Sequence, residues 1–323
     1  MTFQNLSDIL MPGNMISRDS RHKGFLDYLV KPEESDAVIF GVPFDAGTQR
    51  HVGTNEGPIG VRRGLSFFRN WSAELKFAFT DYIKTADIGN VDVLWNDYGY
   101  TFKNVDKVVK TIVKESKVPI MIGGDHSVTY QAIKSVIEES GKKIGLIWLD
   151  NHLDTMSDYR GDIHHCGTPL YHLMTEFPDN ISAKNIVHLG SRGFQLGHTG
   201  WEMANELGFH LIGSEEIKFR GVREVVKEAI ELASSGVDAI YMTLDIDVAD
   251  AIVAPGTQCN NPGGLNSSEL LYIIREVAKH GVIGFDVMEV APRADVADVT
   301  IQLGACAILE CLSGLAWKKK ENK

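Results

Sequence analysis

The apolar run Ile144–Leu149 stops abruptly at Asp150-Asn151-His152-Leu153-Asp154. The run is short, β-branched and aromatic, and Gly141-Lys142-Lys143 precedes it, which predicts a buried strand. In extended chain, residues i, i+2 and i+4 share a face. A strand that persists a few residues further would set Asp150, His152 and Asp154 on one side, with Asn151 and Leu153 on the other. Two acids and an imidazole at the end of a buried strand are costly unless a cation or another partner neutralises them.

Similar runs recur along the chain. Strands are predicted at 37–42, 118–122, 186–190, 209–213, 239–244 and 281–288, with a weaker one that turns at 87–93. Helices are predicted at 58–68, where Pro58 suits a first turn, and at 105–113, 127–139, 223–235 and 299–316. The unit from strand 118–122 through Gly123-Gly124 and the helix beginning at Ser127 to strand 144–149 should be parallel and right-handed. About eight apolar strands alternating with helices predict an α/β fold whose mostly parallel sheet is covered on both faces. The polar stretch 1–35, with Pro12 and Pro32, reads as an N-terminal arm on the domain or on a neighbouring subunit. No repeat or linker interrupts the rest, so one domain, 1–323, is expected.

Composition narrows the partners. A formal charge of -11 and a pI near 5.5 argue against nucleic acid and mildly favour a small cationic substrate. No apolar run approaches the ~18–20 residues that span a bilayer, so no membrane partner is expected. The start lacks a basic-then-apolar leader, and four cysteines without a CxxC pair suit a reducing compartment. The expectation is a cytoplasmic protein.

In open parallel sheets, ligands bind outside the carboxyl ends of the strands. Four predicted strand ends carry, in turn, His126, then Asp150, His152 and Asp154, then Asp245 and Asp247, then Glu289. Singly, His126 reads as a core histidine and Asp245 and Asp247 as helix caps. Their joint occurrence at successive strand ends points to a metal site. Two histidines and four aspartates exceed the four ligands, or three plus water, of a single zinc, so two ions sharing carboxylates fit better. Imidazole and carboxylate without thiolate suit manganese-like ions and leave nickel, cobalt and zinc open.

The chain resembles the arginase/agmatinase, or ureohydrolase, family. The resemblance rests on Gly123-Gly124-Asp125-His126-Ser127, on Asp150-Asn151-His152-Leu153-Asp154, on Asp245-Ile246-Asp247 with Ala254-Pro255-Gly256-Thr257 and Gly263-Gly264, and on Asp286-Val287-Met288-Glu289. Val42-Pro43-Phe44-Asp45-Ala46-Gly47 and Gly57-Pro58 look like its agmatinase side. The resemblance implies a three-layer α/β/α arginase-like fold, two Mn²⁺ (with Ni²⁺ or another divalent ion open) and a homo-oligomer, trimer or hexamer. It assigns His126, Asp150, Asp154 and Asp245 to one ion and His152, Asp150, Asp245 and Asp247 to the other. Asp125 is expected behind these ligands or in a structural role.

The implied reaction is hydrolysis of the guanidino C–N bond of agmatine or a related guanidino compound to urea and an amine. Hydroxide for so poor an electrophile would come from water acidified by the metals. Glu289 would orient the guanidinium, Asp154 would pass a proton and His164 would deliver one to the leaving amine. His164 stands ten residues after Asp154, with His165 close behind. Asn151 stands where the family usually has a small residue, on the side facing away from the metals. The His164-His165-Cys166 pattern also resembles a branch acting on guanidine itself, and Cys166-Gly167-Thr168-Pro169 resembles formiminoglutamases. Guanidine and formiminoglutamate are therefore alternative substrates. A single-zinc deacylase and an inactive metal-binding regulatory subunit are the remaining rivals.

Substrate tails would meet the loop 155–169. Acids at Asp158 and Asp162 suit an amine, and Arg160 suits a carboxylate; equally, all three fit a solvated loop. Phe194, Gln195, His198 and Trp201 are candidates for the opposite rim. Cys259, Cys306 and Cys311 read as packing residues.

Overall fold

Short, mostly apolar runs form the eight parallel strands of the main sheet, the edge strands being the most polar. They are β1 (Ala37–Gly41), β2 (Thr85–Asn90), β3 (Val118–Ile122), β4 (Ile144–Leu149), β5 (Ile186–Leu189), β6 (His210–Ile212), β7 (Ala239–Asp245) and β8 (Val282–Met288). The computed structural model describes residues 23–322 apart from 49, 51 and 52. Most of the expected N-terminal arm, 1–22, thus lies outside the described residues. Phe25, from its remainder, is fully buried with its ring 5.8 Å from that of Phe79.

The spatial order of the sheet is β2-β1-β3-β8-β7-β4-β5-β6. This order places β3, β8, β7 and β4 side by side at the centre. Those four strands are the ones whose carboxyl ends carry the polar residues singled out above. Pairings of Ile122 with Val287, Met288 with Asp245, and Leu149 with Leu244 hold the ends level.

Strand alternation feeds two cores. Ile120, Ile122, Ile147 and Leu149 face a layer that contains α1 (Gly57–Leu65) and the later helices α6 (Ser214–Arg220), α7 (Val222–Ser234), α8 (Ser267–His280) and α9 (Val299–Glu321). Met121, Leu146 and Trp148 face the opposite layer of α2 (Tyr98–Lys114), α3 (Ser127–Ser140), α4 (Pro169–Glu176) and α5 (His198–Leu207). The result is a three-layer α/β/α arrangement.

Several elements differ from the sequence expectation. The predicted helix 105–113 begins earlier, at Tyr98, because the Asp97 carboxylate caps Tyr100 N at 2.9 Å. Helix α8 was not predicted, although its capping box is written in Asn266 and Glu269. Helices α4, α5 and α6 were not predicted either. Helix α9 runs to Glu321 and is long and apolar enough to cross a membrane, but 78% of its apolar window is buried against this core. Its hydropathy reflects packing from several sides.

Candidate metal centre

Three strand ends use one local device. At each, an aspartate carboxylate accepts the backbone N–H two residues on: Asp125 from Ser127 at 2.9 Å, Asp150 from His152 at 2.6 Å and Asp245 from Asp247 at 2.9 Å. The chain therefore turns at the strand end instead of continuing as pleated strand. Strand β4 ends at Leu149 and Asp154 adopts φ +53°. Asp150, His152 and Asp154 still converge, through turn geometry and not through the strand alternation the sequence suggested.

His126 Nδ1 lies 3.1 Å from Asp150 Oδ2, 3.0 Å from Asp154 Oδ2 and 3.5 Å from Asp245 Oδ2. His152 Nδ1 lies 3.0 Å from Asp247 Oδ2 and 3.6 Å from Asp150 Oδ1. His126, Asp150 and Asp245 form one candidate metal group, and Asp150, His152 and Asp247 a second, each with its ligand atoms within 4.8 Å of one another. Asp150 belongs to both.

Behind His126, its Nε2 meets Thr243 Oγ1 at 2.9 Å, and the Thr243 hydroxyl donates to Asp286. Asp286 also accepts from Tyr241 at 2.8 Å and Thr129 at 3.1 Å. Because Thr243 spends its hydrogen on Asp286, it accepts from Nε2–H of His126. Nδ1 is then the atom that faces three carboxylate oxygens, and it offers a lone pair there when a cation stands between them. Both His126 Nδ1 and Asp154 Oδ2 are buried without a hydrogen-bond partner. A cation between them is the species that reconciles a lone pair with three anions, so the donor set fits a metal.

Electrostatics agree. Burial, with Asp150 nearby, pushes the Asp154 carboxyl up to about 7. Burial likewise raises Asp245 and Glu289 well above the usual range. Burial would lower His126 and His152, but the carboxylates beside them raise both well above an ordinary imidazole. The pocket holds more buried negative charge than its two imidazoles can match.

Asp125 has a structural place: its Oδ2 accepts Gly47 N at 2.7 Å, tying the loop after β1 to the start of α3. Gly124 is required beside it, since a Cβ there would sit 1.8 Å from Phe44 O. The buried Arg192 guanidinium donates to the carbonyls of Asp247 at 2.7 Å, Ala249 at 3.0 Å and Asn261 at 2.8 Å, which pins the loop after β7. Asn151 points away from the cluster, with Nδ2 on Gln195 Oε1 at 3.1 Å.

A cleft of about 460 Å³ opens above the cluster. Glu289, at φ +63°, lies on its floor; one oxygen accepts His126 N at 3.0 Å and the other is buried without a partner. The structure does not bring His164 to this cleft. Its ring is 4.9 Å from Tyr98 and 5.2 Å from Phe102, in a separate small hollow against α3 and α4. His165 lines the cleft in its place, stacked 4.4 Å from Tyr159. Gly167 N donates to its Nδ1 at 3.0 Å, so Nε2 carries the hydrogen, and that buried atom has no partner.

The rims also differ from expectation. Asp158, Arg160 and Asp162 do not line the cleft; Asp162 accepts His164 N at 2.9 Å and Asp158 accepts Gly161 N at 2.8 Å. Of the opposite-rim candidates, Gln195 lines it, whereas Phe194 is fully exposed. Cys259, expected as a packing residue, lines the cleft, as do Cys166, Arg50 and Gln258. Nothing local marked Arg50 or Gln258, each a lone polar residue in a loop.

A family model described as "Arginase family" matches residues 35–314. The chain is 31% identical over 280 residues to the mitochondrial agmatinase of Gallus gallus, covering 87% of this chain and 81% of that one. It is 30% identical over 273 residues to the proclavaminate amidinohydrolase of Streptomyces clavuligerus, covering 84% and 85%. The solved structure of the Streptomyces protein superposes with a TM-score of 0.82 at 29% identity, covering 91% of this chain and 97% of that one. With the family model matching most of its length and the paired His/Asp groups at the centre of its sheet, the chain belongs to the arginase family.

Proposed function

We propose that this chain is a dinuclear-metal amidinohydrolase that hydrolyses a C–N bond of a guanidino compound. The observation that carries the reading is the sharing of Asp150 by two ligand groups beneath a cleft whose acid, Glu289, keeps one buried oxygen free. His126, Asp150, Asp154 and Asp245 would hold one ion; His152, Asp150, Asp245 and Asp247 would hold the other. Imidazole and carboxylate without a cluster thiolate suit Mn²⁺, with Ni²⁺ the next choice. Divalent ions held there would supply water acidified well below its bulk pKa of about 15.7.

The chain's own groups do the rest. Glu289, anchored by one oxygen, offers the other to an amidinium through charge-assisted hydrogen bonds. Asp154, whose Oδ2 would face the ion, would accept a proton at its other carboxylate oxygen. The proton Asp154 takes from the attacking water is the one it would pass on to the leaving amine. His165, neutral with its hydrogen on Nε2, is placed to donate a hydrogen bond to that nitrogen, where the sequence suggested a proton from His164. Guanidino substrates would yield urea and an amine.

Agmatine is the first substrate to test, as the agmatinase relative supports. The rim favours a second set. Among the described residues lining the cleft, the carboxylates all lie on the floor and Arg50 is the lone arginine or lysine, so no rim acid holds a distal amine. Guanidino acids, guanidine and formiminoglutamate suit that rim better. The family resemblance further supports a homo-oligomer, and four cysteines without a CxxC pair support a reducing compartment such as the cytoplasm.

The test is a product-release assay with protein loaded with Mn²⁺ or Ni²⁺. Substrates are agmatine, guanidinobutyrate, guanidinopropionate, arginine, guanidine and formiminoglutamate. Two ions per chain and turnover of one substrate are expected. Two ions with no turnover anywhere would leave a regulatory metal-binding role.

A further inference from the structure

The cleft contains unpartnered buried atoms beyond those a metal would meet: Glu289 Oε2, His165 Nε2 and Gln258 Oε1. Gln258, in the loop after β7, is only 7% exposed. Its position is held from two directions. Nε2 donates to Cys166 Sγ at 3.6 Å, and its main-chain oxygen accepts from Arg50 at 3.5 Å. The amide nitrogen is thereby turned toward Cys166, and the amide oxygen, on a residue that lines the cleft, is buried without a donor. Buried polar atoms are rarely left this way, and each such case asks for an explanation.

We propose that Gln258 is a specificity-determining residue whose Oε1 binds an N–H edge of the substrate's amidinium, opposite the edge held by Glu289. The assignment rests on the amidinohydrolase reading of this site. The chemistry of the three atoms selects the ligand. Two are acceptors and one is a donor. An amidinium presents N–H donors on every edge and so satisfies both oxygens at once, while the hydrogen on His165 Nε2 gains its acceptor only when the leaving nitrogen becomes tetrahedral and recovers a lone pair. A carboxylate beside Gln258 would meet an oxygen, and an alkyl group would leave that oxygen unpaired. The substrate group next to Gln258 is therefore an unsubstituted or singly substituted nitrogen, and any tail leaves the cleft on another side. Cys166 contributes by position: burial pushes its thiol pKa well up, so it remains a compact neutral partner for the amide nitrogen.

The probe is guanidinium chloride at low millimolar concentration, titrated calorimetrically into the metal-loaded protein. Gln258→Met keeps the side-chain length and removes the oxygen. It should weaken guanidinium binding about tenfold or more, raise KM more than it lowers kcat, and leave two metals per chain. Gln258→Glu should tighten guanidinium binding. Unchanged affinity in both variants overturns the proposal, as does tighter binding by Gln258→Met, which would mean that the amide presents its NH2. Wild-type protein that binds no guanidinium overturns it too. Gln258-dependent binding without turnover of any substrate would sink the hydrolase reading and support the Gln258 assignment. Turnover with KM unaffected by Gln258→Met would do the reverse.

Discussion

The two ends of the main sheet each open into a sizeable hollow. At the amino end, a cavity of about 620 Å³ is bordered by Lys114, Lys117, Lys142, Lys318 and His280; the carboxyl-end cleft is smaller, about 460 Å³. The larger one is chemically at rest. Helices α2, α3, α7 and α8 finish there, and their partly negative ends attract lysines. Lys318 Nζ donates to His280 O at 2.6 Å and Lys117 pairs with Glu115 at 3.1 Å. None of the residues around this cavity has a buried side-chain atom without a partner, whereas His126, Asp154, His165, Gln258 and Glu289 at the other end all do. Volume alone would choose the wrong end. Unmet hydrogen bonding, concentrated where four central strands stop, chooses the other.

The contrast breaks most visibly at Asp150. Asp150→Asn removes charge from both candidate metal groups at once. Because changing a partner that merely supports a ligand costs about 10–100-fold in affinity or activity, loss of the shared ligand should cost more than about a hundredfold. Elemental analysis should show fewer than two metals per chain, and turnover should fall in parallel. Normal metal content would dissolve the distinction between the ends.

The next effect separates neighbouring histidines. His165→Ala should lower kcat about tenfold or more with metal content intact, through loss of its Nε2–H hydrogen bond. His164→Ala should leave kcat within about threefold and cost about 1 kcal/mol of stability through the lost Tyr98 and Phe102 contacts. Thermal melts and initial rates on both variants decide the matter. A normal rate in His165→Ala would mean that its Nε2–H does not meet the reacting nitrogen.

These residues show what was legible in the sequence. Short apolar runs that end in His126, Asp150, Asp245 and Glu289 were readable because strands buried on both faces leave little room for polar residues except at their ends. Which strands are neighbours was not readable: the order β3-β8-β7-β4 joins segments far apart in the chain. The turn at each strand end was concealed by an alternation that a strand would also produce. His164 and His165 were indistinguishable locally, since their placement depends on Tyr98 and Phe102 from a distant helix and on Gly167 N. Gln258 is meaningful only through its contacts with Cys166 and Arg50, which lie on two other loops.

A smaller effect sharpens the carboxyl end. Thr243→Val keeps the shape but removes the acceptor for His126 Nε2–H and the hydroxyl that meets Asp286. Metal affinity should fall about tenfold, with one ion released before the other in a chelator titration, and Thr243→Ser should restore both. Equal loss of both ions, or no loss, would mean that this relay does not set the orientation of His126.

The smallest effect belongs to the amino end. Lys318→Met removes a donor to His280 O and a positive charge near the end of α8. Such helix-end interactions are worth about 0.3–1 kcal/mol, so Tm should drop by about 1–3 °C, and the drop should shrink in high salt because exposed charges are screened. Metal content, kcat and KM should all remain at wild-type values. If Lys318→Met instead altered KM by more than about threefold, the amino-end lysines would be acting on the cleft at the far end of the sheet. The larger cavity would then be a linked site, and its satisfied hydrogen bonds would no longer explain its silence.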